Sequence, residues 1–156
     1  MYGIKSGAQT ADPDARAPMH RVDPMFEIEV QSEFCAAHAL QIGGVRETLH
    51  GHNWRTVATL QGPSLDSDGL LCDFHTVQEL LHAILAPFNN RSLNDAPPFD
   101  RLNPSAENVA RHIHAELSSR LAGLPGDVRV ASVSVTEAPG CRATYHTTHD
   151  HGGTTR

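Results

Sequence analysis

The chain has 156 residues, 12 of them basic and 18 acidic, with a formal charge of −6. That length suits one domain with its own core, and the acidic balance excludes a sequence-independent nucleic-acid binder. Three scattered cysteines (Cys35, Cys72, Cys141) without CxxC spacing exclude a disulfide frame or thiolate knot, and no apolar run nears the roughly 18–20 residues of a membrane span.

No secretory pattern opens the chain, so the expected setting is the cytoplasm. Residues 1–24, polar and rich in Ala, Pro and Asp, read as a disordered leader, and 148–156 as a flexible tail. Residues 25–147 remain as one domain. Within it Phe26, Ile28 and Val30 alternate with Glu27, Glu29 and Gln31, the pattern of a half-buried strand running toward Phe34. A second strand runs from about Leu49 through Trp54, Val57 and Leu60 to Gly62-Pro63. Two successive strands joined by a loop suggest an antiparallel pair.

A helix is predicted after Asp73, a good cap, with Phe74, Val77, Leu80, Leu81, Ile84, Leu85 and Phe88 as its buried stripe and Pro87 at its end. The stretch from Phe88 to Pro104 is long for a compact domain and is expected to line a site. A second helix follows, with Pro104 at its first position, Asn103 or Ser105 as cap, and Val109, Ile113, Leu117 and Leu121 facing inward until Gly123. Strands over Val128–Glu137 and Cys141–Thr147 complete the order ββααββ. The expected fold is α+β: a four-stranded antiparallel sheet with two helices packed on one face. Its open edges call for covering, and assembly of several subunits into a barrel is one solution.

Three histidines carry the chemistry. His50 and His52 flank Gly51, and a His-x-His pair on a strand points both imidazoles to one face. Two such histidines on an edge strand are often merely solvated. His38, arriving from the neighbouring strand, makes a three-nitrogen set with an open fourth position, the arrangement of a catalytic zinc. His75, His82, His112 and His114 are expected on polar or boundary faces of helices, without a metal role. Cys35 lies three residues before His38, hence on the opposite face, and reads as an inert core thiol. Glu47, three residues before His50, is either a solvated loop residue or a base overhanging the metal. Glu137 continues the alternation of Val133 and Val135, so its carboxylate requires a partner: an arginine such as Arg142, or a ligand donating two hydrogen bonds.

The segments Phe34-x-Ala36-Ala37-His38, Leu49-His50-Gly51-His52-Asn53, Gly69-Leu70-Leu71-Cys72-Asp73-Phe74, Ser92-Leu93-Asn94, Asn103-Pro104-Ser105-Ala106-Glu107-Asn108 and Val135-Thr136-Glu137 resemble, in this order, the 6-pyruvoyl-tetrahydropterin synthase / 6-carboxytetrahydropterin synthase family. The resemblance spans about Phe26 to Tyr145. It implies a tunnelling fold (T-fold), a homohexamer built as a dimer of trimers, Zn2+ held by His38, His50 and His52, and a pterin ligand bound by Glu137 and Ser105. The implied substrate is 7,8-dihydroneopterin triphosphate and the implied activity that of a lyase.

The departures are equally specific. Arg46 stands where the family's catalytic cysteine is usual, and Asn89 and Asn90 stand at its Asp-His pair. Asparagine exchanges no proton near neutral pH. The standard synthase reaction is therefore not expected. Glu47-Thr48-Leu49-His50-Gly51-His52 instead matches a subgroup that carries Glu-x-x-His-Gly-His and cleaves the same substrate in the aldolase sense, with the glutamate as base. Two readings stand beside the lyase: a repurposed relative that binds zinc and a pterin or purine-like ligand without turnover, and a metal-binding oligomer without a pterin.

Overall fold

The computed structural model describes residues 25–123 and 127–147; the leader and tail expected at 1–24 and 148–156 lie outside them. Strand β1 (Phe26–His38) and strand β4 (His50–Gly62) pair antiparallel without interruption, from Phe26 opposite Gly62 to His38 opposite His50. Along β1 the side chains of Val30, Ser32, Phe34, Ala36 and His38 are buried, while Glu29, Gln31, Glu33 and Cys35 are exposed. The period of two thus aims one row at the helices, and that row ends on His38.

The connection between these strands forms a small hairpin, β2 (Gln41–Ile42) with β3 (Val45–Arg46). Gly43 and Gly44 sit at its tip with φ of +57° and +83°, the backbone a tight two-residue turn demands. Strand β6 (Arg129–Ala138) pairs antiparallel with β4, and β7 (Cys141–His146) with β6. Pro139-Gly140 makes the intervening turn, with Gly140 at φ +82°.

With β5 (Arg91–Ser92) at one edge, the sheet has five strands rather than four, in the order β5-β1-β4-β6-β7, and the β1–β5 pair is parallel. The additional strand, β5, lies alongside Ala36 and Ala37. It arises because the chain leaving the first helix returns along the outer edge of β1, where backbone groups need partners. Asn90 N–H donates to the Cys35 carbonyl at 2.6 Å, and the Asn89 side-chain oxygen accepts from Cys35 N–H at 3.0 Å. The long connection is therefore ordered and structural.

Helix α1 (Phe74–Leu85) is capped by Asp73, whose carboxylate accepts from His75 N–H at 2.9 Å. Helix α2 (Ala106–Leu121) is capped by Ser105, and Pro104 precedes the cap instead of opening the first turn. Val77, Leu81, Ile84 and Leu85 of α1 and Val109, Ile113, Leu117 and Leu121 of α2 meet the inward row of the sheet in one core. Phe74, counted in the stripe from spacing, is 54% exposed; it is the first helical residue and points off the packed face. Phe88 lies beyond the helix end, buried against Phe99 at 5.4 Å between ring centres. His114 also departs from expectation. It is buried, its Nε2 lies 3.2 Å from the Val130 carbonyl and its ring packs edge-on to Tyr145. The helix buries a face wide enough to include it. No described helix is long and apolar enough to cross a membrane.

Candidate metal centre

The β1–β4 register places His38 opposite His50 and Ala36 opposite His52, so three imidazoles share the inward face at one end of the sheet. Their ring centres lie 4.7 Å (His38–His50), 5.2 Å (His38–His52) and 4.9 Å (His50–His52) apart. Trp54, one turn of the pleat further along β4, is fully buried and packs edge-on to His38 and His52 at 4.8 and 5.7 Å. Its indole N–H donates to the Ala36 carbonyl at 3.0 Å, which locks the ring that backs the site.

Carbonyl oxygens select the tautomers. Nδ1 of His38 donates to the Pro104 carbonyl at 2.8 Å, and Nδ1 of His50 donates to the Thr48 carbonyl at 2.9 Å. Each ring then presents Nε2 as a bare lone pair, the arrangement that supports metal ligation. Nε2 of His38 and of His52 are both buried and lack a hydrogen-bond partner. Two unpaired nitrogens at one point are costly unless something binds them. A divalent metal fits this donor set; without one, burial and the neighbouring His38 and His50 hold the His52 ring below its ordinary value of 6.5, against the pull of Glu137.

Burial likewise lowers His112 and His114. A histidine held low stays neutral in the fold while the unfolded chain takes up a proton, so stability falls as pH drops below about 6.5 and is unaffected above it. The metal-free protein should accordingly keep its melting temperature from about pH 8 to 7 and lose it progressively toward pH 5. Thermal melts in a chelator check this; a flat profile contradicts it.

Glu137 completes the cluster. Its Oε1 lies 3.5 Å from His52 Nε2 and 3.9 Å from His38 Nε2, and one donor atom from each of His38, His50, His52 and Glu137 falls within 4.8 Å of the others. The β6–β7 register shifts between Thr136 and Ala138, so Glu137 sits at an irregularity of the strand. The alternation that turns Val133 and Val135 inward carries Glu137 to the same face as the histidines. Here the carboxylate faces the histidines, and Arg142 is not its partner.

The other expected residues are not among the four of this cluster. Ser105 is half-buried, and its hydroxyl accepts from Asn108 N–H at 3.4 Å as a helix cap, one residue after the Pro104 carbonyl that holds His38. Glu47 is half-buried after β3. Its backbone N–H donates to the Leu40 carbonyl at 2.9 Å and its Oε2 accepts from Leu40 N–H at 3.2 Å. Arg46 is exposed. Cys35 is exposed too, not a core thiol; its Sγ lies 3.0 Å from Asn53 Oδ1 on the face away from the helices. A cleft of about 510 Å³ opens there, lined by Cys35, Asn53, Asn90 and Arg91 among others, and reaches His52.

Spacing alone missed two asparagine clamps. Asn94 bonds both backbone groups of Ala39, at 2.8 and 3.0 Å, and Asn103 does the same for Gln41, at 2.8 and 3.1 Å. Each amide acts as a one-residue strand and pins the segment leaving His38. Their sequence signal was present in Ser92-Leu93-Asn94 and Asn103-Pro104, without an indication of what the amides bind.

The fold and site together define an α+β sheet protein with a three-histidine, one-carboxylate centre. Residues 27–148 match the family model described as 6-pyruvoyl tetrahydropterin synthase, and the chain belongs to that family. It is 29% identical over 126 residues to the 6-carboxy-5,6,7,8-tetrahydropterin synthase of Bacillus subtilis (strain 168), covering 77% of this chain and 84% of that one. The 6-pyruvoyl tetrahydropterin synthase of Caenorhabditis elegans superposes with a TM-score of 0.69 at 23% identity, over 80% of this chain and 97% of that one. A Plasmodium vivax 6-pyruvoyltetrahydropterin synthase carrying alanine in place of a catalytic glutamate superposes with a TM-score of 0.66 at 24% identity, over 81% and 100%.

Proposed function

We propose that the protein is a zinc-dependent, lyase-type enzyme acting on 7,8-dihydroneopterin triphosphate or a related pterin, without performing the standard synthase reaction. The observation that carries this reading is the convergence of three histidines, two of them with carbonyl-fixed tautomers, and Glu137 within 4.8 Å of one another in a chain of this family. His38, His50 and His52 would hold the metal, which supplies Lewis-acid polarisation of side-chain hydroxyls when bound. Glu137 accepts two hydrogen bonds from the amino and ring N–H groups of the pterin, with Ser105 close by. Glu47 takes a hydroxyl proton through Oε1 while Leu40 N–H holds Oε2. The Plasmodium vivax relative gives precedent for a catalytic glutamate.

Arg46, Asn89 and Asn90 offer no proton transfer near neutral pH, and the Asn89 amide oxygen is already engaged by Cys35 N–H. That engagement favours a second reading, in which zinc and a pterin or purine-like ligand bind without turnover. The free edges of the sheet, β7 on one side and β1 beyond the short β5 on the other, support assembly into a cytoplasmic homohexamer.

Zinc-loaded protein incubated with 7,8-dihydroneopterin triphosphate should release 6-hydroxymethyl-7,8-dihydropterin, identified by mass spectrometry. Glu47→Gln should lower the rate about 10²–10⁴-fold, the usual contribution of a positioned base. Saturable binding with no product over hours would establish the second reading instead.

A further inference from the structure

The hairpin of β2 and β3 lies between His38 and His50 in the chain, and little apolar packing holds it in place. It forms a two-stranded sheet of its own, and its side chains Ile42 and Val45 are 58% and 70% exposed. A lone two-stranded hairpin is marginal in water, so the polar bonds at its base decide where it sits. Leu40 and Glu47 close that base: Glu47 N–H donates to the Leu40 carbonyl at 2.9 Å, and Leu40 N–H donates to Glu47 Oε2 at 3.2 Å. Beside them the Asn103 amide bonds both backbone groups of Gln41, Oδ1 accepting at 2.8 Å and Nδ2 donating at 3.1 Å.

Resting on the metal-dependent reading above, we propose that Asn103 is a positioning residue that couples metal occupancy at His38 to the placement of Glu47. One short segment serves both ends. The carbonyl that follows Asn103, that of the buried Pro104, accepts from His38 Nδ1 at 2.8 Å. Asn103's own carbonyl accepts from Ser105 N–H at 2.9 Å and from Asn108 Nδ2 at 2.8 Å, which ties residues 103–105 to the first turn of α2. When Nε2 of His38 shares its lone pair with a cation, Nδ1–H becomes a stronger donor, and the Pro104 carbonyl is held more firmly. The Asn103 amide, on the same segment, is then held against Gln41, and the hairpin base closes around Glu47. Asn94 differs: its amide pins Ala39, ahead of the hairpin, from a segment that does not include Pro104. The base and the metal site are in this way assembled together.

The test follows amide hydrogen exchange at Leu40 and Glu47 by NMR on the full chain with and without zinc, and zinc affinity by chelator competition. Zinc should slow exchange at both positions of the wild type on the order of 5–150-fold, the usual strength of coupling between two sites. Asn103→Ala keeps all three histidines, so it should still bind zinc but lose most of that protection. Because linkage is reciprocal, its zinc affinity should fall by a comparable factor. Asn94→Ala loses an equivalent pair of hydrogen bonds and should retain the protection, which separates coupling from general loosening. Equal protection in Asn103→Ala and wild type would overturn the proposal and leave the bond from His50 to the Thr48 carbonyl as the route. Equal loss in the two variants would overturn it as well. The wild-type arm needs no variant to fold: zinc binding without protection there refutes the coupling and spares the metal-dependent reading, whereas no zinc binding sinks both.

Discussion

Replacing His50 with alanine should abolish tight metal binding and leave the fold untouched. His50 is exposed at the start of β4, and among the described residues the only hydrogen bond of its side chain is the local one from Nδ1 to the Thr48 carbonyl. Loss of a direct ligand should cost no less than loss of an outer-shell partner, so the affinity should fall by at least about 10–100-fold. The urea midpoint of the metal-free protein should stay where it is. His38→Ala should lose metal equally and also destabilise the metal-free fold by about 1–3 kcal/mol, because the buried Pro104 carbonyl loses its donor. Isothermal titration and urea unfolding on the two variants separate ligation from folding. Two variants that bind metal as well as wild type would contradict the assignment.

The largest effect on stability is expected at Trp54. Its side chain is fully buried, stacks on Phe34 with ring centres 5.8 Å apart, and backs both His38 and His52. Trp54→Ala should destabilise by about 3–5 kcal/mol, the usual range for removing a buried large aromatic. Trp54→Phe preserves most of the volume but leaves the Ala36 carbonyl without the indole donor, at a cost of about 1–3 kcal/mol. Both should weaken metal binding, since the ring packs against His38 and His52. Denaturant unfolding checks the first effect and chelator competition the second. Full metal affinity in Trp54→Phe would show that the histidines are positioned without the indole.

The convergence of the three histidines was legible in the sequence because a strand's period of two is unforgiving. Given β1 and β4 as an antiparallel pair, His38 and His50 at their facing ends leave little freedom, and His52 follows on the same face. Asp73 as cap and the stripe from Val77 to Leu85 were readable for the corresponding helical reason. What stayed hidden depends on contacts between distant segments. The parallel strand β5 exists because Asn89 and Asn90 bond to Cys35, 54 and 55 residues away. Cys35 was misread as a core thiol, although its odd spacing from a buried His38 already placed it on the outer face. Glu137 was recognised as a carboxylate in phase with the buried Val133 and Val135, hence on the inward face, but its distance to the histidines depends on how β6 lies against β4, which periodicity does not reveal. The Gly43-Gly44 hairpin, by contrast, had a local signal in two glycines between Ile42 and Val45.

The proposed activity depends on whether His38, His50 and His52 hold a metal at all. Elemental analysis of the wild-type chain, purified without added metal or chelator, tests this most directly. About one equivalent of divalent metal per chain, predominantly zinc, is predicted. Less than about one equivalent per three chains, unchanged after incubation with zinc and desalting, would contradict it.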